Sequence, residues 1–398
     1  MIRLVLVASL VSFSASDIPH SSLAAQVAET PTAIVIQGKF DTATEHVLIP
    51  VGIGGHEFWC NPDSGFSALI ALDQTKAVAA GLTVAPGIRT PDGNAPSPGD
   101  SSTNATVAVG SVTFPNQPII LRRFPEEAPD MDCIMGVALL RRFVVEFDHM
   151  TPRLILYERG TYRPSAGTET VPLLFRTNLN VPYLDVQITL PNGSRLPLRM
   201  VPDTGAAFYA AALVGSAVGR VELQLRSAPA ITYQDPQADR VTRLVAARPS
   251  AITVGPFTVR EPVIAFVRGT LGGGGIADGV LGSGFLRRFT VGFDFDGRVM
   301  YLRPNSRLAQ PQSFDASGVG FIRRGGRHVV YEVIADSPAS EAGVRVGDVL
   351  LEIDGRTATP LTAIEIRELL TAAGTTRRLL IQREEHTVTI LLALTRRI

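Results

Sequence analysis

From about Thr32 to Tyr157 the chain is built of short runs in which apolar and polar residues alternate, broken by Gly and Pro. The runs "AIVIQGKF", "HVLIPVGIGG", "TVAVGSVTF", "QPIILRRF", "FVVEFD" and "RLILYE" each predict a strand, because period two lays one face of a strand on a core. Within "SALIALDQTKAVAAGL" the pattern widens and predicts a short helix ending at Gly81. Ala85 to Asn104 is rich in Gly, Pro, Ser and Asp and predicts a mobile loop or hairpin tip.

The same order returns from about Val171 to Leu302. "LDVQITLPNGSRLPLRMV" reads as a hairpin with an Asn-Gly turn. An Ala-rich segment, a polar stretch near Gln234 and "AITVGPFTV" follow. The two halves share a long signature. Asp132, Gly136, Leu140, Arg141, Arg142, Phe143, Phe147 and Asp148 align with Asp278, Gly282, Leu286, Arg287, Arg288, Phe289, Phe293 and Asp294. A duplicated β domain accounts for that run. After the linker "RPNSRLAQPQS" a third unit reads strand, strand, short helix, strand, helix, strand, strand.

Composition narrows the class. With 45% hydrophobic and 19% charged residues, the chain is globular and not disordered. The formal net charge is zero, which gives no footprint for a nucleic-acid partner or an anionic membrane. The start, "MIRLVLVASLVSFSAS", carries Arg3 and an apolar core too short to span a bilayer, as a cleaved secretory signal does. Residues 1–24 are therefore expected to be a signal peptide, and the mature protein to be exported, periplasmic or secreted, without a membrane span. The two cysteines, Cys60 and Cys133, are read either as a disulfide of an exported protein or as two buried thiols.

The chemistry lies in two matched tripeptides, Asp63-Ser64-Gly65 and Asp203-Thr204-Gly205, at corresponding places in the two copies. Two carboxylates held close cannot both ionise easily, so one keeps a proton. Such a pair can activate a water and protonate a leaving nitrogen. Gly65 and Gly205 lack a Cβ and let two loops approach, and their amides can donate to the carboxylates. Ser64 and Thr204 supply hydroxyls to brace the loops. The six histidines, His20, His46, His56, His149, His328 and His386, sit in no recognisable base motif. No His/Cys spacing suggests a metal. Gly272 to Gly275 do not lead from a strand into a helix as a phosphate loop must, and are expected at a cleft edge.

On these residues the stretch from Thr32 to Leu302 resembles the two-lobed aspartic proteases, especially the bacterial retropepsin-like and pepsin-like proteins. The resemblance implies a mainly β, double-ψ β-barrel-like fold, with lobe 1 over 32–162 and lobe 2 over 170–303. It implies a catalytic dyad of Asp63 and Asp203, supporting loops of Ser64, Gly65, Ser67, Thr204 and Gly205, and crossing segments at Gly136 and Gly282. It implies protein or peptide substrates, water as nucleophile and no cofactor. The strands carrying Cys60 and Cys133 run side by side in such a lobe, which implies a disulfide; Met200 and Gly279 take those places in lobe 2. Ala85 to Asn104 would be the flap, without the aromatic residue that pepsin-like flaps carry. Pro62 and Pro202 depart from the family, which usually has an apolar residue with an N–H before each aspartate.

Residues 314–396 resemble a PDZ domain, most recognisably in "DSPASEAGVRVGDVLLEIDG". This implies that Gly318, Val319, Gly320 and Phe321 form a loop whose amides hold a peptide C-terminus while the peptide adds a strand. The flanking helix near Ala363 to Leu370 begins without His or Arg, which points to apolar termini. The alternative from another class is an inactive, peptide-binding relative of the proteases that works through its PDZ domain.

Overall fold

The duplication becomes two β lobes joined by a shared sheet, in a computed structural model that describes residues 33–86, 101–124, 130–175, 180–229, 233–235, 240–242, 244–267 and 277–398. The expected signal peptide and the loop Gly272 to Gly275 lie outside the described residues, as does 87–100 of the expected flap. Ala85–Pro86 and Ser101–Val109, on either side of that segment, pair antiparallel.

In lobe 1 the strands Val47–Ile53, His56–Pro62, Cys133–Met135, Ile70–Asp73, Val112–Arg122 and Ser101–Val109 are successive neighbours, and the last pairs back on the first to close a six-stranded barrel. Lobe 2 repeats that order with Leu184–Thr189, Arg195–Pro202, Gly279–Leu281, Ala211–Leu213, Ile264–Val267 and Leu244–Ala247. Ala251–Val254 then pairs back on Leu184–Thr189. In each lobe the short middle strand runs parallel to the strand that ends at the proline before the aspartate. Cys60 faces Cys133 in that ladder and the two form a disulfide, while Met200 faces Gly279.

The ends of both copies build one six-stranded antiparallel sheet in the order Ile34–Gln37, Arg153–Tyr157, Val144–Asp148, Phe289–Asp294, Val299–Pro304, Glu169–Pro172. Glu146 and Gly292 hold the same place in the two copies and face each other across the central pair. A local twofold axis therefore passes between them. One apolar core runs through both lobes and this sheet; Phe147 and Phe293, which are also equivalent, meet edge to face in it. The axis brings the two aspartate loops together.

The C-terminal unit is a sheet of Val319–Arg324, Arg327–Val333, Val349–Ile353, Thr376–Arg383 and His386–Ala393 with its own core. Ser337 caps the helix Pro338–Glu341, and Thr362 with Glu365 forms a capping box on the helix Ala363–Leu369. Val319–Arg324 is an edge strand, and the helix Ala363–Leu369 packs beside it. The linker is pinned to lobe 2: the Arg288 guanidinium, in a residue 5% exposed, donates to the carbonyls of Arg307, Leu308 and Gln310.

Candidate active site

Each aspartate follows the last residue of a strand, and its backbone N–H holds it to the crossing segment: Asp63 N–H donates to Met135 O at 2.8 Å and Asp203 N–H to Leu281 O at 2.9 Å. This explains the prolines. Successive amides in a parallel ladder point alternately to opposite sides. The bond to the crossing strand belongs to the aspartate, so the amide that Pro62 or Pro202 lacks would point away from it. The proline carbonyls are used instead. Thr204 Oγ1 donates to Pro62 O at 2.8 Å, and Ser64 Oγ donates to Pro202 O at 2.6 Å.

Those bonds run between lobes. Ser64 N–H donates to Thr204 Oγ1 and Thr204 N–H to Ser64 Oγ, each at 3.0 Å. Ser64 is fully buried and Thr204 is 5% exposed, so the four bonds form a water-excluded brace. Gly65 N–H donates to Asp63 Oδ1 at 2.7 Å and Gly205 N–H to Asp203 Oδ1 at 2.8 Å. Each glycine also lies against the opposite acid. A Cβ on Gly65 would stand 2.5 Å from Asp203 Cγ, and one on Gly205 would stand 2.6 Å from Asp63 Cγ.

The two carboxyls are within hydrogen-bonding reach of each other. Burial and then the Asp203 charge hold Asp63 well above the usual carboxylate range; burial also raises Asp203. The pair therefore keeps one proton at a pH where a lone carboxylate has lost its own. Both aspartates are half-buried as whole residues.

Behind each loop, the glycine of the neighbouring strand end is bonded to it. Gly136 N–H donates to Leu69 O and Val137 N–H to Phe66 O; Gly282 N–H donates to Ala210 O and Ser283 N–H to Ala206 O. A Cβ at Gly136 would collide with the carbonyls of Phe66 and Ala68. These bonds expose an asymmetry absent from the sequence alignment. Phe66 and Ala206 are equivalent, yet Leu69 is matched by Ala210. The lobe 2 loop therefore has one extra residue between Ala206 and Ala211. In lobe 1 that stretch holds Ser67, partly exposed on the loop four residues past Asp63. In lobe 2 it holds Phe208, whose φ is +66°.

The C-terminal loop is partly engaged. Gly318, at φ +76°, lies against Ser337, and its N–H donates to Asp315 Oδ2 at 2.8 Å. Val319 N–H donates to Ser317 Oγ at 3.1 Å. Of the four amides expected to face a peptide carboxylate, two are thus held within the loop. Gly320 and Phe321 follow, where a bulge interrupts the ladder.

Among the described residues no group of three or more His, Cys, Asp or Glu side chains could hold a metal, and no helix is long and apolar enough to cross a membrane. No curated protein matches the chain. Among solved structures, the chain is similar to an aspartic proteinase from Irpex lacteus, at 14% identity and a TM-score of 0.40, over 71% of this chain and 100% of that one. The model of the PDZ domain family matches residues 329–383. With that match, the sheet and the two capped helices, the C-terminal unit is a PDZ domain.

Proposed function

We propose that the chain is an exported aspartic endopeptidase of two lobes, over 32–162 and 170–303, with its PDZ domain over 314–396. The observation that carries this reading is the mutual contact of Gly65 with Asp203 and Gly205 with Asp63, which seats the carboxyls of two half-buried residues together. A water between the paired oxygens gives its proton to the ionised carboxylate and attacks the peptide carbonyl. The protonated carboxyl polarises that carbonyl, and a proton then passes to the leaving nitrogen. The brace through Ser64 and Thr204 fixes the separation on which the shared proton depends. The Cys60–Cys133 disulfide fits an oxidising compartment, in keeping with a signal peptide at 1–24. The PDZ domain receives a peptide C-terminus beside Val319–Arg324, its carboxylate met by Gly320 and Phe321.

The test is cleavage of an unfolded protein substrate across pH, with and without a pepstatin-type inhibitor. Acid-dependent, inhibitor-sensitive cleavage supports the peptidase. Failure to cleave at any pH, together with retained binding of a peptide C-terminus, supports the inactive, peptide-binding alternative.

A further inference from the structure

The extra residue of the lobe 2 loop lies where the PDZ domain and its linker meet the catalytic body. The Arg367 guanidinium, on the helix Ala363–Leu369, lies 3.7 Å from the centroid of the Phe208 ring. Its Nη2 donates to Ala43 O of lobe 1 at 3.0 Å. The Gln312 side chain, in a residue 7% exposed, donates to Phe208 O at 2.7 Å and accepts from Val263 N–H at 3.0 Å. Tyr209 packs into a small cluster with Phe314 and Ile398. The lobe 1 loop is one residue shorter and carries no aromatic residue between Phe66 and Ile70.

We infer that Arg367 is a positioning residue for the Asp203 loop, which makes the PDZ domain a working part of the catalytic unit. An aromatic residue in the left-handed region stays there only where its surroundings hold it. Here two of the contacts that hold it come from outside the lobe: a cation over the ring and an amide on the carbonyl. Asp203 is bonded to the same loop through the N–H of Gly205, and the loop passes directly on to Phe208. Loss of the cation frees Phe208 to leave its conformation, and Asp203 then shifts relative to Asp63. Arg367 is also on the helix that walls the peptide groove, so a bound peptide and the catalytic loop share one element. The catalytic consequence rests on the proposed peptidase reading; the mechanical one does not.

The experiment compares the full chain with Arg367→Ala and Arg367→Lys, by hydrogen–deuterium exchange over 203–210 and by steady-state cleavage of a short peptide. From a desolvated cation–π contact we expect Arg367→Ala to speed exchange in 203–210 about tenfold while 63–69 is unchanged, and to lower kcat roughly fivefold with KM within about twofold. Arg367→Lys keeps the cation and recovers most of both. An active wild type whose loop exchange and kcat are unmoved by Arg367→Ala overturns the inference. Equal losses in both variants with a lowered melting temperature also overturn it, since that marks a merely structural contact. A wild type that cleaves nothing, yet shows the selective exchange at 203–210, removes the peptidase reading and keeps the positioning role.

Discussion

Gly65→Ala is the smallest change that acts on the carboxyl pair without touching either acid. Gly65 is not among the residues with positive φ, so alanine can adopt its backbone and only the added methyl matters. That methyl would stand 2.5 Å from Asp203 Cγ, 2.6 Å from Oδ2 and 2.8 Å from Oδ1. Ordinary carbon contacts lie at about 3.5–4 Å, so the loops must separate by roughly 1 Å. The braced, buried contact between Ser64 and Thr204 resists that separation, and overpacking of this kind costs about 1–3 kcal/mol. A displacement near 1 Å at the reacting groups lowers turnover by about a hundredfold. Moving the carboxyls apart also weakens the Asp203 charge that raises Asp63, so the basic limb of the pH profile should move to lower pH. The assay is kcat and KM on a short peptide across pH, beside a melting curve. Gly205→Ala, which presses on Asp63 in the same way, should reproduce the result. Turnover within about twofold of wild type with an unmoved basic limb would refute the reasoning built on close loop approach.

Other expectations follow from the fold. The Cys60–Cys133 disulfide spans 73 residues, and its removal should cost about 4 kcal/mol in the chain-entropy account, read from denaturant unfolding of the double Cys→Ala variant; an unchanged midpoint contradicts this. His149, 7% exposed, is lowered by burial, with Arg307 adding to it, from 6.5 to about 4. The unfolded chain therefore takes up that proton first as pH falls, and stability is lost between about pH 6.5 and 4, by up to about 3 kcal/mol for this one group. His149→Phe should flatten that slope, and an equally steep slope in the variant opposes the assignment.

The sequence carried the strands, the duplication and the paired acids because each rests on a local pattern: period-two alternation, the shared Leu-Arg-Arg-Phe run, a tripeptide occurring twice. The Cys60–Cys133 pairing, expected from a resemblance, agrees with the ladder that sets these residues opposite each other. The sheet made by the ends of both copies was not legible, since each of its strands reads as an ordinary strand of its own lobe. Neither was the extra residue near Phe208. Between Gly65 and Gly136 in one copy, and Gly205 and Gly282 in the other, the lengths differ by several residues. Only the bonds of Leu69 and Ala210 to the crossing glycines fix where one of them falls. The linker read as a spacer, whereas Gln312 and Arg288 fasten it to lobe 2 through bonds to backbone atoms, which leave no pattern in a sequence.

The central claim is that Asp63 and Asp203 act as one unit, and single substitution of each by Asn tests it most directly. Asn keeps the shape of the side chain and removes the shared proton. Each variant should lose activity on a peptide substrate by about a thousandfold or more at every pH, as a lost general acid–base group implies. Folding should be retained. Burial raises both carboxyls, so ionising either costs stability as pH rises through its folded pKa, and the melting temperature at neutral pH should be equal to or above that of wild type. Turnover at the wild-type level in either Asp63→Asn or Asp203→Asn, with folding intact, would contradict the account.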